Sequence, residues 1–125
     1  MLGYRIVEIK NNKVMSLFHG TNGSRQIPLN MWHKANIKDV SDGSKGKNYK
    51  SGWHFLLTLD ETINFFTRMF RVKDNRYIVQ CHVRKNIRQK TNSTKGKCLL
   101  ADEIMITNEQ VSKAISWEDI EMKGD

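Results

Sequence analysis

The residues with chemistry to offer in this 125-residue chain are four histidines, two cysteines and one pair of adjacent carboxylates in an apolar setting. His19 stands in Leu17-Phe18-His19-Gly20-Thr21, where an imidazole ends an apolar stretch and the glycine beside it lets a ligand reach the backbone. His54 stands in Ser51-Gly52-Trp53-His54-Phe55, just ahead of a helix signal. Asp102 and Glu103 interrupt an apolar run, Ala101-Asp102-Glu103-Ile104-Met105-Ile106. The expectation is one site built from three separated segments.

Spacing removes several chemistries. Cys81 and His82 are neighbours that face opposite ways on a strand, and His19, His33 and His54 show neither i,i+4 nor CxxC spacing, so no metal is expected. Neither Cys81 nor Cys98 has the helix-start or glycine-rich setting that lowers a thiol pKa, which argues against a Cys-His nucleophile. Gly43-Ser44-Lys45-Gly46-Lys47 lacks the spacing of a phosphate loop. His19, His54 and Glu103 remain. Taken singly, each has an ordinary structural role: a strand-end histidine packs or caps, His54 partners the following helix, and Glu103 pairs with a lysine.

The elements that must position these residues are legible as local patterns. Tyr4-Arg5-Ile6-Val7-Glu8-Ile9 reads as a strand and Asn11-Asn12 as a tight turn. Residues 13–19 form the returning strand, with Met15, Leu17 and His19 on one face. A short helix is expected over 31–35. Residues 36–52, rich in lysine, glycine, serine and aspartate, read as a long loop carrying Lys45, Lys47 and Lys50. Thr58-Leu59-Asp60-Glu61 is a capping box opening a helix whose stripe is Leu59, Ile63, Phe66 and Phe70. Residues 77–83 read as a strand with Cys81 in the core and His82 half-exposed, followed by a second basic loop, 84–97, with Arg84, Lys85 and Arg88. Residues 99–106 read as one strand covered on both faces, and Thr107 to Gln110 as a second capping box. Strands outnumber helices, which gives an α+β class.

Length and composition fit a single domain over 1–125, with 38% hydrophobic and 27% charged residues. Two cysteines without a framework fit a reducing cytoplasm, and the first ten residues lack the apolar core of a signal peptide. No apolar run reaches the roughly 20 residues of a membrane helix. The net charge of +8 and pI of about 9.7 favour an anionic partner: nucleic acid, a nucleotide or an acidic protein surface.

Taken in order, L-F-H-G-T, S-G-W-H-F with its following helix, the strand over 77–83 and D-E-I-M-I resemble the ADP-ribosyltransferases of the diphtheria-toxin and poly-ADP-ribose polymerase type. The resemblance spans roughly residues 14–106. It implies a small, mainly antiparallel split sheet with a few short helices. It also implies that NAD is the substrate, held by His19, Gly20, Thr21, Trp53 and His54. Glu103 would stabilise the oxocarbenium-like state, with His19 and His54 completing a catalytic triad. His54 stands where that family has tyrosine. The acceptor would be a macromolecule, protein or nucleic acid. Lys45, Lys47, Lys50, Arg84, Lys85 and Arg88 are the expected phosphate or acceptor contacts.

The leading expectation is therefore an NAD-using transferase acting on a macromolecule. The alternative is a non-catalytic basic protein that binds nucleic acid or regulates a partner through the same two loops. A third reading keeps the fold as a nucleotide- or protein-binding domain. Exposed aromatic residues beside the basic loops would favour the nucleic-acid reading.

Overall fold

Two long strands form the spine. β1 (Leu2–Lys10) is followed by Asn11 and Asn12 at φ 52° and 61°, a left-handed pair that asparagine tolerates and that turns the chain back into β2 (Lys13–Met15). β7 (Arg76–Arg84) pairs antiparallel with β1 from Leu2↔His82 to Glu8↔Arg76. The other edge of β7 is shared: β11 (Ile115–Ser116) takes its start and β10 (Glu103–Met105) its end. β3 (His33–Lys34) closes the far side of β10, giving the order β2-β1-β7-β10-β3. The computed structural model describes residues 1–16, 26–35, 39–41, 48–50, 52–69, 74–89 and 98–123.

A second, three-stranded sheet is made by β6 (Trp53–Phe55), β9 (Leu99–Ala101) and β8 (Arg88–Gln89), with β9 in the middle. β4 (Asp39–Ser41) and β5 (Asn48–Lys50) form a separate hairpin. Three short helices, α1 (Leu59–Met69), α2 (Asn108–Ser112) and α3 (Trp117–Lys123), complete the described residues. The class is α+β with antiparallel sheets, as the sequence pattern predicts. No described helix is long and apolar enough to cross a membrane.

The alternation of β7 sorts the core into two layers. Val79, Cys81 and Val83 face the three-stranded sheet and meet Phe55, Ala101 and Ile104, all buried. Ile78, one residue out of phase, faces α1 and α3 and meets Ile6 and Phe66, with Phe66 stacked on Trp117 at 5.5 Å between ring centroids. Gly3 is glycine for a steric reason, because a Cβ there would collide with the Phe55 ring. β6 in fact runs on into the main sheet, where Leu56 and Tyr4 exchange two backbone bonds of 2.8 and 2.9 Å.

Several local expectations change. The apolar run over 99–106 is two strands in different sheets, broken at Asp102, so its continuous hydrophobicity comes from a chain that switches layers. Residues 31–35 are not a helix; His33 and Lys34 pair with Ile104 and Glu103 instead. The two basic stretches read as loops contain β4, β5 and β8. The returning strand expected over 13–19 is described only to Met15, and His19 lies outside the described residues.

Candidate functional site

The chain changes sheet twice at one place. β7 leaves the main sheet through Lys85 and Asn86, both left-handed with φ 67° and 53°, and enters β8. Beside it, β9 passes into β10 through Asp102 alone. The two corners are bonded together, Asp102 N–H donating to the Lys85 carbonyl at 2.9 Å, and Ala35 N–H donates to the Asp102 carbonyl at 2.7 Å. This double corner places two carboxylates among several cations.

Glu103 is buried, with 9% of its side chain exposed, and accepts from Arg84 Nε at 2.7 Å and Lys85 Nζ at 3.2 Å. The bond from Arg84 holds the Glu103 carboxyl below its usual range, with Lys85 adding to it against the opposing effect of desolvation. Asp102 Oδ1 accepts from Arg88 Nη1 at 2.8 Å, and the same nitrogen donates to the Asn86 carbonyl at 2.8 Å. The Arg84 guanidinium lies over the Trp32 ring, 3.8 Å from its centroid. Side-chain exposure is 45% for Arg84 and 63% for Lys85, so both cations are fixed by a carboxylate yet open to solvent. Lys34, the register partner of Glu103 on the edge strand, is also exposed.

Of the residues expected to form the site, His19, Gly20, Thr21, Lys45 and Lys47 lie outside the described residues, and Lys50 is described only as backbone of β5. Of the remaining ones Arg84 and Lys85 meet at Glu103, but Glu103, Trp53 and His54 do not converge. Glu103 shares a face with Arg84 and therefore with Ile78, the helix side of the main sheet. Trp53 packs on the opposite side, in the layer between the sheets, and donates from Nε1 to the His33 carbonyl at 3.0 Å. His54, next along β6, takes the opposite face of the three-stranded sheet from Trp53, in a row with Leu100 and Arg88. Glu103, Trp53 and His54 thus leave their strands toward three different surfaces.

Sequence reasoning passed over Trp32, Asp102 as a ligand of Arg88, and Arg5. Arg5 is buried on β1 with Cys81 and Cys98 nearby, and donates from Nη1 to the His54 carbonyl at 2.7 Å. Its guanidinium lies 5.3 Å from the Trp53 ring centroid. Burial lowers the Arg5 pKa, and no described carboxylate pairs with it; Nε has no partner. Burial also pushes the Cys81 thiol up to about 12, so it stays protonated and unreactive. The signal for the corner was present in the sequence: two adjacent carboxylates in an apolar run need cations, and Arg84, Lys85 and Arg88 are close in number. Nothing in the sequence singled out Trp32.

No protein-family model matches the chain, and comparison with curated proteins and with solved structures finds no match either.

Proposed function

We propose that the protein binds nucleic acid through the corner formed by Trp32, Lys34, Arg84 and Lys85, with Asp102 and Glu103 serving to fix cations and not to react. The observation that carries this reading is the state of Arg84: clamped between a carboxylate and an indole, and still 45% exposed. A guanidinium ordered in advance loses less side-chain freedom when it meets a phosphate, and its planar fork matches the phosphate oxygens. The chain's net charge of +8 supports the same partner.

The test is fluorescence anisotropy with labelled single-stranded and duplex oligonucleotides as salt is raised from about 50 to about 200 mM. Three cations meeting phosphates give a slope of about −2 in log K against log salt on single strands. The double variant Arg84→Glu, Lys85→Glu abolishes binding. Absence of binding at the lowest salt, or affinity indifferent to salt, overturns the proposal.

ADP-ribosyl transfer from NAD is the second reading. Its favouring observation is the pairing of β6 with β9, which sets Trp53 opposite Ala101, two residues from Glu103. Against it weigh the opposite faces taken by the two side chains and the two cations already on the Glu103 carboxylate. Release of nicotinamide from NAD that disappears in Glu103→Gln would establish this reading in place of the first.

A further inference from the structure

We infer that the corner takes single-stranded nucleic acid in a specific way, with one base stacked on the outer face of the Arg84 guanidinium to complete a Trp32–Arg84–base sandwich. This rests on the nucleic-acid reading above and adds what kind of strand the site prefers and which group reads it. The guanidinium is a flat cation with two faces and an edge. Trp32 covers one face at 3.8 Å from the ring centroid, and Glu103 takes the Nε edge at 2.7 Å. The Nη nitrogens have no partner among the described residues, and the side chain keeps 45% of its surface in solvent. A fixed plane of this kind offers a base the same surface an aromatic ring would, with positive charge added.

The neighbours suit a strand and not a duplex. Lys85, 63% exposed and held by Glu103, stands next along the corner where a phosphate beside the stacked base would fall. Lys34 lies exposed across the edge strand. Bases in a duplex are already stacked on one another and present only edges, so a flat cation has no face to meet there. Met31, 52% exposed beside Trp32, extends the apolar margin of the platform.

The decisive comparison keeps charge constant. Arg84→Lys retains the cation and a partner for Glu103 but removes the plane, and an abasic strand retains the phosphates but removes the bases. Wild-type protein is expected to bind an ordinary single strand about tenfold more tightly than an abasic strand of equal length. Arg84→Lys is expected to lose that advantage, binding ordinary and abasic strands equally, in DNA and RNA arms alike. Trp32→Leu, with circular dichroism to confirm the fold, should give a similar loss by leaving Arg84 without its backing. Equal binding of ordinary and abasic strands by the wild type, or an Arg84→Lys protein that keeps the preference, overturns the stacking proposal while leaving phosphate binding intact. If neither strand binds, the underlying reading falls with it.

Discussion

Among the described residues the main sheet carries two arginine–tryptophan pairs, one on each face, and they are opposites. Arg5 lies against Trp53 between the two sheets, 8% exposed, without a carboxylate among the described residues and with one bond to a backbone carbonyl. Arg84 lies against Trp32 at the corner, 45% of its side chain exposed, and held by Glu103. The same two residue types serve different ends because of where the water is. Inside, a guanidinium bears a desolvation cost that only good hydrogen bonds and a ring face offset. At the corner the charge remains hydrated, and the carboxylate and indole set its position more than its energy.

The sharpest way to break that contrast is to remove the inner arginine. Arg5→Ala is expected to destabilise the fold by about 3 kcal/mol, since it empties a packed layer and removes the bond from Arg5 to the His54 carbonyl. Arg5→Met, which refills the space without the charge, should stay within about 1 kcal/mol of wild type. Urea unfolding of both variants measures this. If the methionine variant falls as far as the alanine one, the charge itself is required, and the inner pair resembles the outer pair more than its burial implies.

How much of this was legible depends on whether partners are near in sequence. β1, β7 and α1 were readable because their patterns are local, and the Asn11–Asn12 turn because its chemistry is local. The capping box at Thr107 is complete, with Gln110 N–H on the threonine hydroxyl and the Gln110 side chain returning to Thr107 N–H. The box at Thr58 is half made: Glu61 N–H reaches Thr58 Oγ1 at 3.2 Å, while Glu61 Oε2 is buried without a partner. β3, β8 and the break at Asp102 were not readable, because strands of two or three residues exist only through partners far along the chain. Glu103 was visible as an odd carboxylate in an apolar run. Its meaning was not, since the face it takes depends on the pairing of Glu103 with Arg84.

A second intervention acts on the outer pair. Glu103→Gln keeps the shape and removes the charge that holds Arg84 and Lys85. The sign of the pH dependence follows from the lowered Glu103 pKa: the unfolded chain protonates this group first as pH falls, so its contribution is complete above the ordinary glutamate value of about 4.3 and is lost below it, through the folded value. Thermal melts should show wild type above Glu103→Gln at neutral pH and the two converging in acid. A constant gap across that range would mean that packing, not the ion pairs, makes the difference. Binding gives an independent reading. Deleting a negative charge would strengthen a purely electrostatic contact, whereas loss of the clamp predicts weaker binding of single strands despite a net charge raised by one.

The smallest expected effect isolates charge from position. Lys85 shares Glu103 with Arg84 but has no ring behind it among the described residues and is the more exposed of the two, at 63% against 45%. Lys85→Ala should therefore weaken every strand alike, ordinary or abasic, and make the salt slope shallower by about 0.7, the value for one phosphate contact on a single strand. The preference for bases should survive, since the Trp32–Arg84 stack and the Nε bond to Glu103 are untouched. A Lys85→Ala protein that loses discrimination between ordinary and abasic strands would place the two cations in one cooperative unit, with Glu103 as its hinge. One that loses only slope assigns Lys85 to phosphate alone and the base to Arg84, because a flexible ammonium acts as a point charge and only the backed guanidinium offers a plane.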